Sequence, residues 1–294
     1  MEALGKKYNA VLQQTMLRIK DPKVSVPFYE KHFGMQLVHK YDFPQWKFSL
    51  YFLERPSASF EGCGEPGTPT SENYLWNMTG QCTLELTHNH GSEDDPDFSV
   101  WSGNCGRDLP RDSSLFIENG PVRGFGHVAF NVDDVYAYSA ALEEEGVRFQ
   151  KKPDEGRMKG LAFCLDPDGY WIELVARSQS FTGVSANLSQ TMLRVKDAAA
   201  TVDFYQNVMG MQLMRKMEIP NDFTNYFLTS VLTPDEKERY DKEQIDPNST
   251  EASEFTHSLW YPILEITHNH GTESDEEFQI STGNDGKWRG FGHI

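Results

Sequence analysis

Internal repetition constrains this chain more than any other feature. The run Gln14-Thr15-Met16-Leu17-Arg18-Ile19-Lys20-Asp21 returns as Gln190-Thr191-Met192-Leu193-Arg194-Val195-Lys196-Asp197. Each copy continues to an aromatic pair (Phe28-Tyr29, Phe204-Tyr205) and then to Gly-Met-Gln-Leu, at 34–37 and 210–213. Leu-Glu-Leu-Thr-His-Asn-His-Gly at 84–91 recurs with one change at 264–271, and Arg-Gly-Phe-Gly-His at 123–127 recurs at 289–293. Three blocks in one order, offset by about 175 residues, mark a duplicated domain. A chain of 294 residues accommodates two such cores. The first domain is expected over 1–180, as two modules at about 10–90 and 124–176, and the second over 186–294.

Each copy reads as strands mixed with short helices, an α+β pattern. Residues 11–20 alternate as a strand, with Leu12, Gln14, Met16 and Arg18 on one face. A helix is expected from Ser25 as N-cap to Gly34, which places Pro27 in the first turn. Asp133 or Asp134 caps a second helix that ends at Gly146. Strands over 161–165 and 170–176 flank the turn Asp166-Pro167-Asp168-Gly169. The polar stretches near 54–73, 91–122 and 231–257 are expected to be surface loops. The second copy stops at Gly292-His293-Ile294, where its last module should begin, so a truncated second domain is expected.

Composition narrows the partners. A formal net charge of −17 argues against nucleic acid, which needs clustered Lys and Arg, but leaves an anionic small molecule open if a cleft supplies its own cations. Residues 1–10 carry no signal-peptide core, and no stretch approaches a membrane span, so a cytoplasmic protein with no membrane partner is expected. Cys63, Cys82, Cys105 and Cys164 show no CxxC spacing and read as reduced thiols.

Candidate chemistry emerges from strand parity. Glu85, Thr87 and Asn89 share one face of an expected strand, with Leu84 and Leu86 on the other. Glu173 lies between Trp171 and Val175 in an apolar run, where an ionised carboxylate is costly without a cation beside it. An amide, an imidazole and two carboxylates together suit zinc, nickel, cobalt or manganese.

Six blocks then carry a specific resemblance: 13–21, Lys-Phe-Ser-Leu-Tyr-Phe-Leu (47–53), Leu-Glu-Leu-Thr-His-Asn (84–89), Arg-Gly-Phe-Gly-His (123–127), Met-Lys-Gly-Leu-Ala-Phe (158–163) and Asp-Pro-Asp-Gly-Tyr-Trp-Ile-Glu (166–173). In this order they resemble the glyoxalase I (lactoylglutathione lyase) family. The resemblance implies the vicinal-oxygen-chelate fold of paired βαβββ modules. It implies metal ligands Gln14, Glu85, His127 and Glu173 in the first copy and Gln190, Glu265 and His293 in the second. Glutathione, the co-substrate, would be held by Arg18, Asn89 and Arg123, with Arg194, Asn269 and Arg289 as their repeats. Arg157 and Met158 would meet its glycine carboxylate, and Phe43, Leu50 and Phe52 would line the pocket for the aldehyde's side group. His90 and His270 replace the Trp usual in the Thr-His-Asn-Trp-Gly block; a nuclease-like His-Asn-His is disfavoured by the acidic composition.

The implied reaction isomerises the hemithioacetal of glutathione and methylglyoxal to S-D-lactoylglutathione through an enediolate, with a divalent ion, zinc first and nickel or cobalt next, and Glu173 as the proton carrier. The family builds each site between the first module of one domain and the second module of the other. One site would then join Gln190 and Glu265 to His127 and Glu173; the other would join Gln14 and Glu85 to His293, with its fourth ligand beyond Ile294, whereas pairing within one domain would make Gln14, Glu85, His127 and Glu173 the working site. The full-length form would be a monomer through pairing of its two domains. Two rivals share the fold: a ring-cleaving dioxygenase, disfavoured by Gln where a His is needed, and a metal-free binding protein, disfavoured by Glu85, Glu173 and Glu265.

Overall fold

The computed structural model describes residues 3–55, 62–78, 82–178, 186–259 and 261–294. Strands β1 (Gln14–Ile19), β2 (Gln36–Phe43), β3 (Phe48–Glu54) and β4 (Thr83–Asn89) form one sheet in the order β1-β4-β3-β2. Eight more strands form a second: β5 (Phe125–Val132), β6 (Phe149–Lys151), β7 (Ala162–Leu165), β8 (Trp171–Ala176), β9 (Ala186–Val195), β10 (Gln212–Ile219), β11 (Phe223–Thr229) and β12 (Ile263–Asn269). Their order is β10-β11-β12-β9-β5-β8-β7-β6. The fold is mixed α+β, built from modules in which a strand, a helix and three further strands follow one another.

The unit of repetition in sequence is not the unit of the sheet. β5, from the first copy, runs antiparallel to β9, from the second, with Ala129 opposite Gln190 and His127 opposite Met192. The first module closes instead on the end of the chain: Leu17 bridges Phe291, the Met16 amide donates to the His293 carbonyl at 2.9 Å, and Gly292 donates back to Met16 at 2.9 Å. The two halves are thus related by a pseudo-twofold, and equivalent residues meet on it. The Thr15 and Thr191 hydroxyls are 2.6 Å apart, and the Phe125 and Phe291 rings stack at 5.1 Å. This approach also explains the glycine that precedes each of those phenylalanines. A Cβ at Gly124 would stand 2.0 Å from the Ser281 carbonyl oxygen, and one at Gly290 would stand 1.9 Å from that of Trp101.

The main core spans both sheets. Tyr29 and Phe33 from helix Pro22–Phe33 pack with Leu17, Phe130, Ile172 and Phe291, all buried. The Tyr29 hydroxyl donates to Asp166 at 2.9 Å, and the Ser25 hydroxyl and Lys20 amide donate to Asp168 at 2.7 and 2.8 Å. Residues 166–169, expected as a simple turn, therefore fasten the first module to the second. Burial, with Asp168 alongside, raises the Asp166 carboxyl to about 7.

Three sequence expectations are corrected. The helix expected from Ser25 begins at Pro22, capped by Asp21, whose carboxylate accepts from the Lys23 amide, and it carries Pro27 inside. An Asp N-cap followed by Pro at the first helical position outweighed the clash that Pro27 suggested. The stretch 231–257 is not loop: it holds helices Pro234–Glu243 and Thr250–Ser258, capped by Thr233 and Ser249. Part of 54–73 likewise opens helix Pro69–Asn77, capped by Thr68. Capping set these starts where apolar periodicity was weak. The other helix fits the expectation, running over Val135–Glu144 with Asp134 as its cap.

Candidate functional site

Adjacent central strands of the large sheet bring four polar side chains to one point. β5 supplies His127, β8 supplies Glu173 beside it, β9 supplies Gln190 and β12 supplies Glu265. His127 Nε2 lies 3.2 Å from Glu173 Oε2 and 3.4 Å from Glu265 Oε2. The Gln190 amide nitrogen is 2.8 Å from each of the same two carboxylate oxygens. The two carboxylates and the imidazole are all buried, and their ligand atoms lie within 4.8 Å of one another.

The chemistry of this cluster fits a divalent cation. Ligands about 2.1 Å from a tetrahedral ion stand about 3.4 Å apart, close to the imidazole–carboxylate spacings here. His127 Nε2 is buried without a hydrogen-bond partner, as a lone pair directed at an ion would be. Two buried carboxylates at this separation repel unless a cation is shared. Without one, burial disfavours charge on His127, yet Glu173 and Glu265 outweigh it and raise the imidazole to about 9. Burial likewise raises Glu265, opposed by His127. His127, Glu173, Glu265 and, with its amide turned so that the oxygen faces the cluster, Gln190 would hold the ion.

Second contacts orient these groups. Asn225 on β11 donates its amide to Glu265 Oε1 at 2.5 Å, and Thr267 donates to Asn225 Oδ1 at 2.9 Å. A cavity of about 270 Å³ opens beside Glu173, Gln190 and Glu265 and is also lined by Met158, Asn225 and Phe227. Phe43, Leu50 and Phe52, expected as the side-group pocket, do not border it. They sit on the four-stranded sheet, where Leu50 and Phe52 pack with Val38 and Leu75, and the Phe43 ring meets Phe48 at a tilt, 4.9 Å between centroids. In the register of the sheets, Asn225 and Phe227 stand on the second copy where Leu50 and Phe52 stand on the first. The repeat itself carried the signal that locates them; Asn225 escaped notice because Asn is unlike Leu.

The expected anchors divide between the halves. Arg194, beyond Gln190 on β9, is half-buried and donates to the Phe125 carbonyl and to Asn104 Oδ1, both at 3.0 Å. Burial lowers its guanidinium to about 9, with Arg123 adding to the effect. Arg123 is held by Asp108 at 2.8 Å, and Asn269 ends β12. Arg157 pairs with Asp222 of the second copy at 2.6 Å and is largely exposed. Arg18, Asn89 and Arg289 gather instead around a separate cavity of about 760 Å³.

β1 and β4, the strands of Arg18 and Asn89, also carry a second cluster. The Gln14 amide nitrogen lies 2.6 Å from Glu85 Oε2 and 2.9 Å from His293 Nε2, and His293 stands 3.3 Å from Glu85. No further carboxylate or imidazole among the described residues completes this group.

The comparisons with known proteins meet this geometry. The Glyoxalase/Bleomycin resistance protein/Dioxygenase superfamily model matches residues 11–174 and again 187–294. Glyoxalase I of Saccharomyces cerevisiae is 38% identical over 290 residues, covering 97% of this chain and 76% of the yeast protein. The chain belongs to the glyoxalase I family. Lactoylglutathione lyase of Schizosaccharomyces pombe is also 38% identical, over 96% of this chain and 80% of that protein. The crystal structure of glyoxalase I from Zea mays covers 89% of this chain and 68% of its own, with a TM-score of 0.56 at 24% identity, a likeness of fold. Membership of the glyoxalase I family agrees with the two repeats and with the paired modules seen here.

Proposed function

We propose that the chain is a metal-dependent lactoylglutathione lyase whose working centre is His127, Glu173, Gln190 and Glu265. The observation that carries this reading is the convergence of two buried carboxylates, an imidazole with an orphaned nitrogen and an amide beside a cavity. The substrate is the hemithioacetal of glutathione and methylglyoxal, and the product S-D-lactoylglutathione.

When bound by His127, Glu173, Gln190 and Glu265, a divalent ion, zinc first, would supply Lewis-acid stabilisation of the negative charge that develops on the substrate. The rest falls to the chain. Arg194, Arg123 and Asn269 hold the glutathione carboxylates through charge-assisted bonds, for which an acidic protein must set cations aside. Glu173 takes the proton from the carbon that bears sulfur and returns it to the neighbouring carbon, so the isomerisation needs no oxidant or reductant. Asn225 keeps Glu265 oriented, and the apolar strands around the cluster exclude water.

Both halves of this centre come from one chain, which supports a monomer. Burial pushes the Cys82 and Cys164 thiols up to about 12, so both are inert, consistent with a reducing cytoplasm. Among the described residues no helix is long and apolar enough to cross a membrane. The test is removal of metal by chelation and its return as zinc, nickel or cobalt, following thioester absorbance with glutathione and methylglyoxal. Activity should vanish and reappear; full activity in a metal-free sample overturns the reading.

A further inference from the structure

The wall of the cavity opposite the carboxylates differs in kind from its counterpart on the first module. In the sheet register Arg215 faces Phe227 and Met217 faces Asn225, where the first copy has His39 facing Phe52 and Tyr41 facing Leu50. Helix Thr250–Ser258 adds His257, where helix Pro69–Asn77 adds Trp76. On the first module the polar atoms are spent internally. His39 bonds Ser71 at 2.7 Å, Trp76 donates to the Tyr41 hydroxyl at 2.7 Å, and Tyr41 donates to Glu72 at 2.7 Å.

Arg215 is different. Its guanidinium lies 5.3 Å over the Phe227 ring, and one nitrogen touches the Met217 sulfur at 3.5 Å, a weak acceptor. It makes no ion pair with any described residue. A half-buried cation with unused planar donors, steadied on an aromatic face, suits a carboxylate that arrives with a ligand. Once an ion balances Glu173 and Glu265, two cations line the cavity, Lys159, which is exposed, and Arg215, which is half-buried.

We propose that Arg215 selects 2-oxoaldehydes whose side group ends in a carboxylate, with His257 beside it in the side-group pocket. This rests on the activity proposed above. The cavity borders Ser189 and Gln190 on β9 but not Arg194, which lies toward the other end of that strand. A substrate anchored at Arg194, with its reacting carbons at Glu173, sends its side group toward Arg215. A methyl group makes no use of that guanidinium, whereas a carboxylate accepts two parallel bonds from it.

The test compares kcat/KM for the glutathione hemithioacetals of 4,5-dioxopentanoate and phenylglyoxal in the metal-loaded protein and in Arg215→Gln and Arg215→Lys. Arg215→Gln should lower the ratio of the first to the second by about tenfold, and Arg215→Lys should restore much of it. Parallel changes for both aldehydes would make Arg215 merely structural and overturn the proposal. Calorimetry with unreactive thioethers gives an arm that needs neither turnover nor a variant. S-(3-carboxypropyl)glutathione should bind the unaltered chain more tightly than S-butylglutathione, and the reverse order overturns the proposal. A protein that converts neither hemithioacetal fails the lyase reading, while the thioether comparison still decides the role of Arg215.

Discussion

The two clusters contain the same residue types and differ in what surrounds them. His127 sits on a strand with neighbours on both sides, and 6% of its side chain is exposed; His293, two residues beyond the isolated bridge at Phe291, has 51% exposed. Behind Glu265 stands Asn225, hydrogen-bonded to it at 2.5 Å; behind Glu85 stands Leu50, which offers no donor, and Glu85 Oε1 accepts instead from the Thr87 hydroxyl at 3.2 Å. The first cluster has Glu173 as a fourth group, and the second has none among the described residues. Shared residue types therefore make unequal sites: a fourth group completes one set, burial strengthens each electrostatic contact, and a fixed second contact removes the freedom of the carboxylate.

The largest expected effect separates the clusters outright. Glu173→Gln or Glu265→Ala should lower kcat by about a thousandfold or more, whereas Glu85→Ala should leave most of the activity. Equal losses at Glu85 and Glu265 would break the comparison and point to two working centres.

A second effect lies in pH. The raised folded-state values of His127 and Glu265 mean that the metal-free protein favours their protonated forms. The stability that His127 contributes is fully present below its ordinary value, about 6.5, and is lost as pH rises through about 9. Metal-free protein should therefore lose on the order of 2–3 kcal/mol of stability across that window, read as a falling Tm. Zinc, which binds the neutral imidazole, should remove the trend; a Tm of the metal-free protein that rises over the same window would contradict it.

A smaller effect probes the second contact. Asn225→Leu, which installs the residue of the weaker cluster, should reduce zinc affinity about 10–100-fold in a competition titration. Unchanged affinity would remove Asn225 from the account of why the clusters differ. The smallest expected effect concerns anchoring: Arg194→Ala should raise KM about tenfold at nearly constant kcat, and Arg18→Ala, on the other half, should leave KM alone. A raised KM from Arg18→Ala would assign substrate to the cavity of Arg18, Asn89 and Arg289.

Much of this was legible in the chain itself. Repetition of three blocks determined the duplicated architecture, and strand parity separated Glu85 and Glu173 from the apolar residues beside them, because alternation of side chains across a strand is a local property. Helix starts were less legible where caps outweighed periodicity, as at Asp21 and Thr233. The family resemblance, not any local pattern, joined His127 and Glu173 to Gln190 and Glu265, and only the tertiary structure shows why they meet and what else borders them. His127 and Gln190 meet because β5 pairs with β9 across two copies, and Arg215 and Asn225 reach the same cavity because β10 and β11 lie beyond β12 in that sheet. Such contacts join segments far apart in sequence. They are set by which strand edges find each other and which apolar faces are buried together, and neither is written in the local pattern of any one segment.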